Sequence, residues 1–453
     1  MYRKLLVVVI GILAVSLVGC GGGGGGGGPI ILPPPGNGNG GDGNGVDVDQ
    51  LVEDSIDALQ DGNGALAATG FEQALAADPN NADANFGVAF VELMREANSL
   101  VQFLSAQNDA VFRNVTMLAV QPLLSPVPEQ QGMLNLNRFM SQDDNGVEVD
   151  DMSLEEIRLE VVRLVDALES IGSYMDRVIK YGGDEWSFTV PEDWNDPDAG
   201  DITIWCRDVQ VLAAALKFTI GILHFSAAYS GGSLGLAEDE WGYIEITGLT
   251  GEPVDPVDTN EDCFIDFAEI ADAAALPADA LVLAVDGREH LSAFVASWHR
   301  SFELLRDAIN SYVAADALVG HWAFDMTRED SDSFVEKWNS YGSDYLNDLI
   351  GTWTSNGATL RVRAGLLDEN PNLEDNPGLD FEVEASFAAF FSNLPDDFRG
   401  FPVRFICVED EWGDIQYELP SQVNQAFTDD TLLGLFPDGL TQEQYDTIFG
   451  RDT

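Results

Sequence analysis

From Leu51 onward, apolar residues return every third or fourth position. Phe71, Ala74 and Leu75 lead into Asp78-Pro79-Asn80-Asn81, and Ala82, Ala84, Phe86, Val88 and Ala89 resume the spacing beyond it. Helical periodicity on both sides of a Pro-marked turn predicts two antiparallel helices. Ser153-Leu154-Glu155-Glu156 has the form of a capping box, and it opens a longer helix with Ile157, Val161, Leu164, Val165, Leu168, Ile171 and Met175 on one face. Asp208 to Tyr229 is apolar nearly all round, interrupted by Lys217 and His224. In a membrane Lys217 would sit near the bilayer centre at a cost of about 2.5–3.5 kcal/mol, so the pattern predicts a buried central helix instead. His290 to Val313 reads as an amphipathic helix with Leu291, Phe294, Val295, Trp298, Phe302, Leu305 and Ile309 inward.

After Trp353 the period changes from helical to alternating. Leu360-Arg361-Val362-Arg363, Phe381-Glu382-Val383-Glu384, Pro402 to Val408 and Ile415 to Leu419 predict short strands between Gly, Pro and Asp turns. The expected fold is therefore mainly α. Residues 51–350 form a helical body, and residues 351–453 form a small mixed α/β C-terminal module with a loop-rich tail around Leu433 to Pro437.

Charge narrows the partners. Of 453 residues, 78 are Asp or Glu and 21 are Lys or Arg, a net charge of −57 that excludes nucleic acid, whose phosphates would meet like charge almost everywhere. With 45% hydrophobic and only 22% charged residues, the chain has the balance of one that buries large cores, not of an acidic disordered tail. Acids occur in every segment, and Lys4, Lys180, Lys217 and Lys337 are the only lysines. The negative charge is thus a whole-surface property, suited to an exported body in a salty medium that screens self-repulsion.

The N-terminus carries an address. Arg3 and Lys4 precede an apolar run from Leu5 to Val18, too short for a comfortable membrane span, which ends at Leu17-Val18-Gly19-Cys20. This resembles the bacterial lipobox. The resemblance implies cleavage of residues 1–19 and acylation of Cys20, making a lipid membrane the first partner. The site would lie in the bacterial cell envelope, at the outer membrane, facing periplasm or cell surface. Loss of Arg3 and Lys4 takes the charge from −57 to −59. Residues 20–50 follow as a tether: Gly21 to Gly28 are all glycine, then come Pro33-Pro34-Pro35 and a Gly/Asn-rich stretch to Gly45. Such a segment offers no side chains to bury, and as a flexible coil from Gly21 to Gly45 it reaches roughly 25–30 Å.

Two further resemblances concern the body. The hairpin at about 55–95 is similar to the junction of two tetratricopeptide repeats, with small residues at the helix contact, an aromatic filling the gap and Pro79 at the turn. No second copy follows at the repeat period, so a single repeat-like hairpin inside a larger helical body is expected, with a helical face available to a protein partner. Asp258-Thr259-Asn260-Glu261-Asp262-Cys263-Phe264-Ile265-Asp266-Phe267-Ala268-Glu269 resembles an EF-hand calcium loop. The resemblance assigns Asp258, Asn260, Asp262, the Phe264 carbonyl, Asp266 and Glu269 as ligands of Ca2+, a hard ion that takes six to eight oxygens. Cys263 stands where the family has a turn-making Gly, and Tyr243 to Thr250 reads as strand and turn in place of an entering helix. Phe267 to Leu276 is the expected exit helix.

Other chemistry is sparse. Once Cys20 is acylated, Cys206, Cys263 and Cys407 allow at most one disulfide; a Cys206–Cys407 bridge would staple body to module, and buried free thiols are the alternative. Gly231-Gly232-Ser233-Leu234-Gly235 matches the G-x-S-x-G string but follows a long helix, whereas a nucleophile elbow needs a strand before it and a helix after. His224, His290, His299 and His321 lack metal-binding companions in sequence and read as ordinary helix residues. Acid–Trp pairs recur at Trp186, Trp194, Trp241 and Trp412 and suit either sugar stacking or packing. The reading that results is a lipid-anchored binding or scaffolding protein and not an enzyme. The alternatives are a nutrient- or glycan-capturing lipoprotein of an outer-membrane uptake system with an aromatic platform, or a secreted hydrolase using Ser233 or an acid pair.

Overall fold

The computed structural model describes residues 47–60, 63–106, 154–190, 202–230, 235–238, 244–247, 264–273, 282–319, 326–363, 380–409 and 415–448. Among these residues 69% are helical and 11% are in strands, so the fold is mainly α with a few small sheets.

Three helices begin the body: α1 (Val48–Gln60), α2 (Gly64–Ala77) and α3 (Ala82–Ala106). Helix α1 starts two residues inside the stretch read as tether. α2 ends before Pro79, and the turn is fastened by side chains: Asn80 N donates to Asp78 Oδ1 at 3.0 Å and Ala84 N to Asn81 Oδ1 at 2.8 Å. Phe71 is fully buried between α2 and α3. Gly87 makes that possible, because a Cβ there would lie 2.4 Å from Phe71 Cε1. The small-plus-aromatic pattern of the hairpin is therefore a packing device, as expected.

The main core lies between α3, α4 (Leu154–Gly182), α5 (Cys206–Ala228) and a long helix near residue 300. Val161, Leu164, Val165, Leu168, Ile171 and Met175 of α4 are buried, so its apolar face matches the sequence periodicity; Ser153 and the Ile157 side chain lie outside the described residues. Helix α5 is long and apolar enough to cross a membrane by length and composition, yet 72% of that apolar window is buried within the protein. It is the central helix that its all-round apolarity predicts. A hairpin of β1 (Ser187–Val190) and β2 (Ile202–Trp205) leads directly into it, with Ser187 opposite Trp205.

After α5 come β3 (Tyr229–Ser230), β4 (Gly235–Glu238), β5 (Ile244–Thr247), β6 (Ile265–Asp266), α6 (Phe267–Ala273), β7 (Val282–Leu283) and α7 (Gly287–Ala314). Helix α7 packs along α5, and Leu291, Phe294 and Ile309 of the face that hydropathy selects are buried. Its buried positions include Ser297, Ser301, Leu304 and Ala308, while Trp298, Phe302 and Leu305 are half-buried. Small side chains let the helices approach, and Ser301 Oγ donates to the Ala214 carbonyl of α5 at 2.7 Å. Trp298 lies at that contact too, stacked on Phe218 of α5 at 4.4 Å, and it also reaches Trp353 in the later part of the chain.

That part holds α8 (Arg328–Lys337), a π-helical turn over Trp338–Gly342, α9 (Ser343–Thr352), β8 (Ala358–Arg363), β9 (Asp380–Ala385), α10 (Phe387–Ser392), β10 (Arg404–Glu409), β11 (Ile415–Glu418), α11 (Val423–Ala426) and α12 (Gln442–Ile448). The four strands expected after Trp353 are present, as the antiparallel pairs β8–β9 and β10–β11. The module is not set apart from the body. β10 also pairs antiparallel with β6, Phe405 opposite Ile265 and Arg404 opposite Asp266, giving the order β11-β10-β6. Phe294 and Trp298 of α7 meet Phe391 and Trp353 at ring distances of 4.4 and 5.1 Å.

Candidate functional site

Of the site residues expected from sequence, Cys20 lies outside the described residues together with the tether up to residue 46, as do Asp258, Asn260 and Asp262. Phe264, Asp266 and Glu269 are described, and they sit where the β6 strand runs into α6. The two carboxylates are engaged with backbone. Asp266 Oδ1 accepts from Ala268 N at 2.9 Å and Glu269 N at 3.0 Å, while Glu269 Oε2 accepts from Asp266 N at 3.2 Å. This is a capping box, in which each side chain satisfies an orphan donor of the helix start. Glu269 is only 6% exposed. The exit helix is described over Phe267–Ala273, and the rest of the expected Phe267 to Leu276 lies outside the described residues. The strand expected in place of an entering helix appears as β5.

The surroundings of this half-loop tie it to the C-terminal module. Beyond the β6–β10 pairing, the Arg404 guanidinium lies 5.6 Å from the Phe264 ring centroid. Phe267 packs edge-on against Phe398 and Phe401, at 5.4 and 5.2 Å. The positions corresponding to the ninth and twelfth of the loop are thus held rigidly at a joint between body and module. Among the described residues no group of three or more His, Cys, Asp or Glu is placed to hold a metal ion.

A second cluster joins residues far apart in sequence. His224 of α5 and His290 of α7 face each other with Nδ1 atoms 2.9 Å apart. His224 Nε2 lies 3.2 Å from Glu169 Oε1 of α4. His290 Nε2 lies 3.6 Å from Asp286 Oδ2, and Asp286 Oδ1 accepts from Arg158 of α4 at 2.8 Å. A polar chain Glu169–His224–His290–Asp286–Arg158 therefore crosses the contact of three helices, with His224 only 5% exposed. Burial pulls the His224 pKa below its ordinary value, against the hydrogen bond and charge of Glu169, which favour the proton. Read singly, these histidines looked ordinary; the pairing is tertiary, and no local motif announces it.

A third cluster surrounds the start of α5. Tyr312 donates to Asp208 Oδ1, Asp208 Oδ2 accepts from Trp205 N at 2.7 Å, and the Arg207 guanidinium lies over the Trp205 and Tyr312 rings at 5.0 and 5.4 Å. Cys206 is a buried free thiol, so the Cys206–Cys407 bridge is not formed, and the free-thiol alternative is the one this cysteine adopts. Burial pushes its pKa up to about 11, aided by the charges of Asp184 and Asp208. Such a thiol is inert at neutral pH.

Ser233 lies outside the described residues, but the flanking chain leaves α5 through β3 and enters β4, without a helix after it. That is not the strand-to-helix turn of a nucleophile elbow. The described tryptophans are taken up by packing. Trp186 donates to Asp83 at 2.9 Å and lies against Phe86, and Trp338 donates to Asn310 at 3.0 Å. Trp298 and Trp353 belong to the aromatic seam between α7 and α10. Comparison with known protein families, curated proteins and solved structures finds no match to this chain.

Proposed function

We propose that the chain is an exported bacterial lipoprotein, anchored to a membrane through acylated Cys20 and acting as a binding or scaffolding protein. One observation carries the reading: Leu17-Val18-Gly19-Cys20 closes a short apolar run and opens a glycine-rich tether that leads to the first helix at Val48. Several acyl chains, each contributing about 0.8 kcal/mol per buried methylene, anchor stably without a spanning helix. The acidic surface keeps the anchored body solvated and clear of other polyanions. Fractionation tests the anchor: wild type is expected in the detergent phase and Cys20→Ala in the soluble phase. A Cys20→Ala protein that stays membrane-bound overturns the reading.

A second element is calcium at Asp258, Asn260, Asp262, the Phe264 carbonyl, Asp266 and Glu269. It rests on the oxygen spacing of the sequence from Asp258 to Glu269, of which Phe264, Asp266 and Glu269 are described, at the head of α6 beside the β6–β10 pairing. Calcium there would fasten the helical body to the C-terminal module. Adding calcium to chelator-treated protein is expected to raise the melting temperature, and Asp258→Ala is expected to abolish the rise. An unchanged melting temperature removes calcium from the account.

A further inference from the structure

The histidine chain between α4, α5 and α7 has a property that neither lipidation nor calcium requires. Two imidazole nitrogens 2.9 Å apart make a hydrogen bond only if one carries a hydrogen and the other a lone pair. Proton positions follow from the neighbours. His224 Nε2 faces the Glu169 carboxylate and is the donor there, so in a neutral ring its Nδ1 is the acceptor. His290 Nδ1–H is then the donor across the pair. A metal bridge fits less well, because two imidazole nitrogens on a tetrahedral zinc lie about 3.3 Å apart, given zinc–nitrogen bonds of about 2.0–2.1 Å.

We propose that His224 and His290 form a proton-operated clasp between the three helices, closed with none or one excess proton and opened by a second. His290 Nε2 faces Asp286, and a proton there leaves the Nδ1–Nδ1 bond intact. A proton on His224 Nδ1 as well breaks it. It sets two N–H groups and two positive charges against each other across a contact closed to solvent on the His224 side.

The charged groups around the pair are few. Helix α4 supplies Arg158, Asp166 and Glu169, and the turn before α7 supplies Asp286. Arg158 is held by Asp286 and donates to the Ala227 carbonyl of α5 at 3.4 Å. Arg288 is engaged elsewhere, by Asp396 at 2.6 Å and the Ser392 carbonyl at 3.1 Å. Glu169 and Asp286 thus face opposite outer ends of the pair, which suits one proton and not two.

The sign of the pH dependence follows from burial. The native state disfavours a proton on His224, whereas an unfolded chain takes it up near the ordinary value of about 6.5. Below that pH the unfolded state binds more protons, so stability falls as the solution is acidified from about 6.5 through the depressed native value.

The test is a double-mutant cycle on the full chain, with His224→Gln, His290→Gln and both together, read as urea unfolding equilibria. At about pH 8 the coupling is expected to be about fivefold in the unfolding constant, the size of one hydrogen bond. It is expected to shrink as the pH falls below about 6.5 and to vanish once folded His224 takes up its proton. Additive substitutions at the higher pH, or a coupling that does not change down to the acid unfolding of the chain, overturn the proposal. Histidine 15N NMR of the wild type keeps it testable if a variant does not fold. A bare Nδ1 on His224 at about pH 8 supports the clasp, and a titration of both rings like free imidazole overturns it. Zinc added to chelator-treated protein is expected to leave the melting temperature unchanged. A rise that His290→Gln abolishes would make the pair a metal site instead.

Discussion

Gly221 tests the packing of α5 against α7, on which the whole body rests. A Cβ at this position would lie 2.2 Å from Trp298 Cδ1 and 2.6 Å from Nε1. The indole has little room to retreat. It stacks on Phe218 at 4.4 Å, meets Trp353 at 5.1 Å and donates from Nε1 to the Phe218 carbonyl at 3.2 Å. Gly221→Ala therefore forces a shift in a filled site, at about 1–3 kcal/mol. If the indole hydrogen bond is lost as well, a further 0.5–1.5 kcal/mol or so goes with it. Replacing Gly by Ala within a helix returns about 1 kcal/mol. The net expectation is a loss of roughly 1–3 kcal/mol, read by urea unfolding followed through tryptophan fluorescence. In a Trp298→Leu background the clash is absent, and the same Gly221→Ala change should be neutral or stabilising by about 1 kcal/mol. Stabilisation of the wild type by Gly221→Ala, or an equal cost in both backgrounds, would refute the close approach.

Other consequences can be measured directly. Tyr312→Phe removes the hydroxyl donated to buried Asp208 and is expected to cost about 1–3 kcal/mol in thermal or urea unfolding. Cys206, with its pKa pushed up to about 11, should resist iodoacetamide in native protein near pH 8 and react once urea unfolds the chain, as peptide mapping would show. With a net charge of −57, the melting temperature should rise as potassium chloride goes from about 10 mM to about 1 M, because the screening length shrinks from roughly 30 to 3 Å. A flat salt profile would mean that self-repulsion across the surface is of no consequence to stability.

Much of the architecture was legible because it is written locally. The Asp78-Pro79 turn, the inward face of α4, the burial of α5 and the four strands after Trp353 each follow from a period or a turn signal within about thirty residues. Longer-range features were not legible. β1 and β2 are four residues each, too short for an alternating period to declare itself. β6 is two residues long and finds its partner β10 far along the chain. The inner face of α7 was legible at Leu291, Phe294 and Ile309, but hydropathy ranks Trp298 and Phe302 above Ser297 and Ser301, whereas close helix approach buries the serines and leaves Trp298 half-buried between Phe218 and Trp353. At the calcium-like loop, the spacing of oxygens was visible, but the reciprocal capping by Asp266 and Glu269 needed coordinates. The His224–His290 pair depends on two helices crossing at one point, and composition at either site says nothing of it.

Mass spectrometry of the mature N-terminal peptide from the membrane fraction decides whether Cys20 is an anchor. The expected chain begins at Cys20 and carries acyl groups on that residue. A chain that retains residues 1–19, or an unmodified Cys20 in the soluble fraction, would contradict it.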